Sequence, residues 1–299
     1  MYKIVTKLEI KFINRATGQI QMEAPPAERL LKFLYDNPFG KTAFLTIARR
    51  KFISEFYGRK MNKPSSTKKI KDFVKKLGID MTESIKSISE FSNFNDFFYR
   101  ELKPNARPIG QGFVSPGDGR LLAFENIEDV NTFFVKGRAF NLEEFLGDRE
   151  LAEKKKNSSL FILRLAPNDY HRYHFPYSGE VSKTTKIKGK YFSVSPYALA
   201  KNFAKVFCEN KREYCTISSS DKGEILIAPV GATMVGSIIE TFKPFTAINK
   251  GDEMGYFAFG GSTVVLLVDK DKISIDQDIL TNTRNKIETY VKMGETIGV

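Results

Sequence analysis

The sequence predicts an α+β fold, with an N-terminal hairpin and amphipathic helices on a β-rich core of sandwich or barrel type. Three patterns predict it. Residues 2–12 and 18–22 alternate polar and apolar side chains with a period of two around Asn14-Arg15-Ala16-Thr17-Gly18, which reads as a β-hairpin. Residues 25–99 carry apolar side chains at helical spacing. From about Pro104, short apolar runs alternate with Gly, Pro and Asn turns, the pattern of many short strands. The change divides the chain into a hairpin-plus-helical part, 1–103, and a β-rich core, 104–299.

Within the first part, Pro25 and Pro26 open a helix at its first turn, where a missing N–H does no harm. Leu30, Leu31, Phe33, Leu34 and Tyr35 give it an apolar face, and Asn37-Pro38 ends it. A second helix is expected over 41–59, with Phe44, Leu45, Ile47, Phe52, Ile53 and Phe56 interleaved with Arg49, Arg50 and Lys51. Ser65 and Ser66 cap a third, which has Ile70, Phe73, Val74 and Leu77 on one side and lysines on the other. A fourth follows Thr82 and runs up to Phe91, Phe94, Phe97, Phe98 and Tyr99. Core strands are expected at 121–124, 132–135, 160–165, 179–181, 224–230, 233–239, 256–259 and 263–268. Short helices are expected at 141–146 and 196–207, and the lysine run at 153–157 reads as a solvated loop.

Composition narrows the classes. The 299 residues are 41% apolar, enough for one large core with a smaller lobe. Cys208 and Cys215 fit a reducing compartment and ordinary packing. Their spacing matches no zinc or redox motif, and with two histidines in the chain no metal site is expected. Residues 1–8 contain no stretch like a signal peptide, and the longest apolar runs, such as 264–268, fall far short of the ~20 residues of a spanning helix. A cytoplasmic or membrane-peripheral protein is expected. The net charge is +12, and residues 41–80 hold twelve Lys/Arg against three acids. Such a patch attracts a polyanion, either nucleic acid or anionic lipid. No recognised nucleic-acid-binding motif accompanies it. Basic polar faces beside large apolar residues instead fit helices lying in a membrane interface.

The chemistry concentrates in five places. Residues 258–268 read Ala-Phe-Gly-Gly-Ser-Thr-Val-Val-Leu-Leu-Val, placing a Gly261–Ser262 bond directly before an apolar strand. On its own this reads as a glycine bulge. It is also a bond that Ser262 could cut by attacking the Gly261 carbonyl. The ester so formed is broken by elimination, leaving a pyruvoyl group, a ketone beside an amide that condenses with amines and withdraws electrons. His171 and His174 are the chain's two histidines and lie four residues apart or less, in Pro167-Asn168-Asp169-Tyr170-His171-Arg172-Tyr173-His174-Phe175-Pro176. Histidine is the usual general base near neutrality. On a regular strand, positions i and i+3 point to opposite faces, so the two either do separate jobs or sit on a bent backbone. Pro116-Gly117-Asp118-Gly119 is a tight turn that could present a carboxylate to a histidine, completing an Asp–His–Ser arrangement. Gly231-Ala232-Thr233-Met234-Val235-Gly236-Ser237-Ile238 interrupts a strand with small residues, and Lys250-Gly251-Asp252-Glu253-Met254-Gly255 reads as the turn delivering the strand that leads to Ser262.

Together these blocks, with Phe94-Asn95-Asp96-Phe97-Phe98-Tyr99-Arg100-Glu101-Leu102, resemble the phosphatidylserine decarboxylases, in the family's order over residues 94–268. The N-terminal hairpin and Asn37-Pro38-Phe39-Gly40 are similar to the soluble bacterial branch. Gly260 stands where many members have leucine, and the scissile Gly-Ser pair is kept. The resemblance implies a proenzyme cut between Gly261 and Ser262 into a β chain, 1–261, and an α chain, 262–299, that stay associated. Ser262 would become the covalent pyruvoyl cofactor. By position, Asp118 and His174 correspond to the family's self-cleaving triad with Ser262, and His171 to the histidine of the decarboxylation step. The expected partners are phosphatidylserine, converted to phosphatidylethanolamine and carbon dioxide, and an anionic membrane surface on the cytoplasmic side of the cell membrane. Nucleic acid is not expected, and a homodimer is left open. Two rivals remain. A serine hydrolase using Asp118, His174 and Ser262 is disfavoured because Gly260-Gly261-Ser262-Thr263 is not a Gly-x-Ser-x-Gly elbow. A lipid-surface binding module on a lipoyl-like β fold leaves the paired histidines unexplained.

Overall fold

The most apolar runs of the chain become the middle of its main sheet. A computed structural model describes residues 10–23, 58–133, 139–192, 194, 196–232, 237–258 and 262–299. The helices expected over 25–37 and 41–59 lie outside the described residues. So do residues 2–9 of the first strand, residues 233–236, and Gly261 with the two residues before it.

The strands, in chain order, are β1 (Lys11–Asn14), β2 (Gln19–Met22), β3 (Phe113–Val114), β4 (Gly119–Phe124), β5 (Ser158–Leu165), β6 (Arg172–His174), β7 (Gly179–Val181) and β8 (Thr185–Ile187). They continue with β9 (Arg212–Ser219), β10 (Gly223–Gly231), β11 (Ile238–Glu240), β12 (Thr246–Ile248), β13 (Glu253–Phe257), β14 (Ser262–Asp269), β15 (Glu288–Val291) and β16 (Thr296–Gly298). The main sheet has the order β12-β7-β9-β10-β14-β5-β4-β15-β1-β2, with β8 beside β9. Its two edges do not pair, so among the described residues the core is an open sheet and not a closed barrel. A second sheet, β11-β13-β6, supplies the other layer of the sandwich. The N-terminal hairpin extends the main sheet, β1 running parallel to β15.

Why the central strands are apolar on both faces follows from the layers. Phe161, Leu163 and Leu165 of β5, with Val264, Leu266 and Val268 of β14, pack in one cluster with Tyr173, Met254 and Phe257 of the second sheet. The alternate residues Leu160, Ile162, Val265 and Leu267 pack on the opposite face against Val130, Phe145, Val206 and Phe207 from helices. Each fully buried aliphatic or aromatic side chain of this kind contributes roughly 1.5–3 kcal/mol. A third cluster joins Met61, Ile70, Phe91, Phe94, Phe97 and Phe98 in the N-terminal part. Ser66 knits it. Its hydroxyl donates to the Lys63 and Met61 carbonyls and accepts from the Phe94 N–H at 2.8 Å.

Three expectations are corrected. Of the strand expected at 132–135, Thr132 and Phe133 instead close the helix Asp129–Phe133, and residues 134 and 135 lie outside the described residues. Asn126 starts that segment with a turn, its side chain accepting from the Glu128 N–H. The lysine run is not a solvated loop. Its first three residues end the helix Arg149–Lys155, and Lys155 is buried with its Nζ 3.0 Å from Asp269 and 2.6 Å from the Glu224 carbonyl. The helix expected after Thr82 shrinks to a 3-10 turn, Ile88–Glu90, and the short helix Phe94–Phe98. The Glu90 and Asp96 carboxylates accept from the Ser87 and Ser92 N–H groups, and the Asn93 side chain accepts from the Asp96 N–H, local bonds that compete with a continuous helix. Both cysteines are buried and unbridged. Among the described residues, no helix is long and apolar enough to cross a membrane.

Close strand contact at the start of β4 depends on Gly119, where a Cβ would lie 2.6 Å from the Arg164 carbonyl oxygen. Gly119→Ala is expected to lower the unfolding free energy by about 1–3 kcal/mol, measured by urea titration in a Ser262→Ala background that keeps one chain. No loss of stability would mean the β4–β5 contact has room to spare.

Candidate active site

Adjacent strands bring the sequence-predicted residues to one end of the sheet. Antiparallel β14 and β5 pair from Ser262↔Leu165 to Asp269↔Ser158, so β14 begins where β5 ends. Antiparallel β4 and β5 pair Arg120 with Arg164, so β4 also begins there. Gly231, the last residue of β10, pairs with Ser262 from the other side. The Asp118 turn, the loop from Ala166 to His171 and Ser262 therefore lie at one end of the sheet.

Ser262 is fully buried, and its hydroxyl has no hydrogen-bond partner among the described residues. The same holds for the Thr263 hydroxyl beside it. Buried polar groups without partners are rare and ask for a reason.

The two histidines have different surroundings. His171 is fully buried, and its ring stacks on Phe98 with 3.9 Å between centroids. Neither ring nitrogen makes a hydrogen bond among the described residues. Burial, then the nearby Arg100 charge, push its pKa down to about 3, although the Ala166 and Pro167 carbonyls oppose this. His171 is thus neutral at ordinary pH. His174 lies at the end of β6. Its Nδ1 faces the Gly251 carbonyl at 2.9 Å and its Nε2 faces the Tyr170 hydroxyl at 3.1 Å. A carbonyl only accepts, so Nδ1 carries the proton and Nε2 offers its lone pair to Tyr170. Burial lowers the His174 pKa, which favours this neutral form.

Asp118 does not hydrogen-bond to His174. Its carboxylate accepts from Arg107, at 2.9 Å from Nε and 2.6 Å from Nη2, and from the Met293 N–H at 2.8 Å. Arg107 is held on its other side by Glu83 at 2.8 Å. The Gly251 carbonyl thus orients the imidazole where a carboxylate was expected. The tie between the two segments is in the backbone, the His174 N–H donating to the Pro116 carbonyl at 2.7 Å. The charge of Asp118 still acts on His174 through space, favouring its protonated form.

Sequence reasoning missed Tyr170, Gly251, Arg107 and Arg100. Tyr170 and Arg100 stood inside the motif blocks as unassigned residues. The Gly251 contribution is a carbonyl, which no side-chain pattern can reveal. It also missed the buried ion network behind the loop. Arg120 pairs with Asp169 and Arg164 with Glu23 and Glu288. Asp169 also accepts from the Ala166 N–H at 2.6 Å, which closes the turn leading to His171. Burial holds the Asp169 pKa up at about 6 despite Arg120.

The chain is similar over nearly its whole length to proteins of one family. The family model described as phosphatidylserine decarboxylase matches residues 94–299. The phosphatidylserine decarboxylase proenzyme of Fusobacterium nucleatum subsp. nucleatum is 52% identical over 293 residues, covering 97% of each chain. Those of Clostridium botulinum strain Eklund 17B and Desulfitobacterium hafniense strain Y51 are 47% and 45% identical, each over 97% of this chain and 98% of theirs.

The neutral His171 sets a pH dependence. Between about pH 3 and its ordinary value near 6.5 the unfolded chain binds a proton at this ring that the folded chain does not, so stability falls as pH drops through that window. One such group contributes a slope of up to about 1.4 kcal/mol per pH unit. In a Ser262→Ala background, His171→Gln is expected to flatten the stability–pH curve between pH 6 and 4, measured by urea titration. An unchanged slope would mean His171 is not held neutral.

Proposed function

This chain belongs to the phosphatidylserine decarboxylase family, and from that premise we propose how its own residues process the proenzyme and carry the reaction. The observation that carries the reading is Ser262, buried without a hydrogen-bond partner at the first residue of β14, where the histidine loop leaves the sheet.

Self-cleavage needs a base for the Ser262 hydroxyl. His174 Nε2 holds the available lone pair, so Tyr170 must yield it or pass the proton along. The Ser262 oxygen then bonds to the Gly261 carbonyl carbon, the Gly261–Ser262 C–N bond breaks, and the nitrogen takes the proton back from His174. Elimination removes the Ser262 α-proton and breaks the ester, freeing the Gly261 carboxylate. Water replaces the nitrogen, which departs as ammonia. The Gly251 carbonyl at Nδ1 and the negative charge of Asp118 both favour the protonated ring formed on the way. Asp118 supports His174 in this way from its place on Arg107, acting through charge and through the Pro116 strap.

The site fits the group so produced. A buried ketone requires nearby donors, and the Thr263 hydroxyl and the His171 ring nitrogens are buried without a hydrogen-bond partner among the described residues. A pyruvoyl group made from Ser262 supplies a ketone beside an amide, which condenses with the substrate amine and draws off the electrons left when carbon dioxide departs. His171 contributes its neutral ring. It accepts a proton from the incoming ammonium, helped by the two negative charges of the substrate, and returns it to the carbon that lost the carboxylate. Its apolar seat on Phe98 gives the carboxylate little solvation, which favours its loss.

The substrate is a membrane lipid, and the exposed lysines of the 3-10 turn Pro64–Lys69 and the helix Ile70–Leu77 present positive charge. We infer that this face docks on anionic bilayers.

Ser262→Ala is expected to give one full-length chain without decarboxylation. His174→Ala should block splitting on a denaturing gel, while His171→Ala should split at least partly yet lose decarboxylation. Equal splitting by both histidine variants would remove the division of labour. Reversing Lys68, Lys71 and Lys75 to Glu should weaken liposome co-sedimentation more than tenfold at low salt, each charge near an anionic surface being worth about 1 kcal/mol. High salt should erase the difference. Unchanged binding at low salt would make this face a solvated one.

A further inference from the structure

Arg100 is a buried cation that the steps above do not use. It is 6% exposed, and its Nε is buried without a hydrogen-bond partner. Among the described residues it makes no ion pair. The charged groups near it are Asp118, Asp169, Glu83 and Arg107. Each carboxylate is already committed: Asp118 to Arg107 and the Met293 N–H, Asp169 to Arg120 and the Ala166 N–H, Glu83 to Arg107 and Lys292. A buried guanidinium left without an anion is costly to keep, and it is normally paired.

Its position is next to the chemistry. The helix Phe94–Phe98 forms an aromatic floor. The Arg100 guanidinium sits over the Phe97 ring, 5.5 Å from its centroid, and the His171 ring stacks on the neighbouring Phe98. The Arg100 charge reaches His171.

We propose that the Arg100 guanidinium receives the phosphodiester of the substrate head group, a reading that rests on the decarboxylase assignment above. The substrate brings two anions, and the chemistry chooses between them. A cation on the carboxylate would stabilise the ground state that has to be lost, which slows the step. The phosphodiester keeps its charge from binding to release, so pairing with it lowers KM without touching the barrier. The planar fork of arginine matches two phosphate oxygens. Arg100 is therefore a specificity-determining residue: it demands a phosphate on the alcohol side of the serine and has no part in self-cleavage.

The test uses Arg100→Met, which keeps the packing on Phe97, and Arg100→Lys, which keeps the charge. Both are expected to split into two chains like the wild type. With phosphatidylserine in detergent micelles, Arg100→Met should raise KM at least tenfold, with kcat within about threefold of wild type. Glycerophosphoethanolamine should inhibit the wild type and lose at least tenfold in potency against Arg100→Met, with Arg100→Lys between the two. O-methylserine, which has the amine and carboxylate but no phosphate, should inhibit all three alike. A fall in kcat with KM unchanged, or equal weakening of both inhibitors, would overturn the assignment. Failure of both variants to split would overturn the claim that Arg100 is separate from processing. A wild-type protein that splits but does not decarboxylate phosphatidylserine would instead remove the decarboxylase reading beneath it.

Discussion

The eight-residue register between β14 and β5 holds this molecule together, both as a fold and as a site. Because strand side chains alternate, a slip of one residue would turn Val264, Leu266 and Val268 away from one core and into the other. Both faces are packed, so either slip is opposed. The same register sets Ser262 opposite Leu165, and the next residues of β5 lead through the Ala166 turn to His171. Anchoring Ser262 to a strand buried on both faces would hold the proposed nucleophile in place at the point where the chain is proposed to be cut.

Around that point the polar groups fall into two kinds. Some are fully committed: Arg107 with Asp118 and Glu83, Arg120 with Asp169, Arg164 with Glu23 and Glu288. Breaking one side of such a buried pair typically destabilises by about 3–5 kcal/mol, so these pairs hold the turn and the loop rigidly. Others are buried without a hydrogen-bond partner among the described residues: the Ser262 and Thr263 hydroxyls, both nitrogens of His171, and Nε of Arg100. Committed pairs build the frame, and the uncommitted groups are the ones proposed above to handle the lipid head group. The low polarity that keeps His171 neutral is the same that would leave a substrate carboxylate poorly solvated.

Much of this was legible in the chain, for physical reasons. Strands with continuous apolar runs, such as 160–165 and 263–268, announce themselves because both faces are buried. The histidines stood out because the chain has two and both fall in one loop. The Pro116–Gly119 turn was legible from its residue types, but its hydrogen-bond partner was not. Asp118 turned out to serve Arg107, eleven residues away, and the Gly251 carbonyl took the place expected of a carboxylate. Backbone acceptors carry no sequence signature. Lys155 read as solvated because lysine usually is. Its burial depends on Asp269, more than a hundred residues on, at the far end of β14. The segment at 132–135 read as a strand from its β-branched and aromatic residues, and local turn bonding at Asn126 started a helix instead.

The most direct measurement is the intact mass of the purified wild-type protein under denaturing conditions, without added protease. Two chains are expected, 1–261 and 262–299, the smaller lighter by one ammonia than a chain beginning with serine because it starts with a pyruvoyl group. A single uncut chain, or a smaller fragment starting with an ordinary Ser262, would contradict self-cleavage at this buried bond.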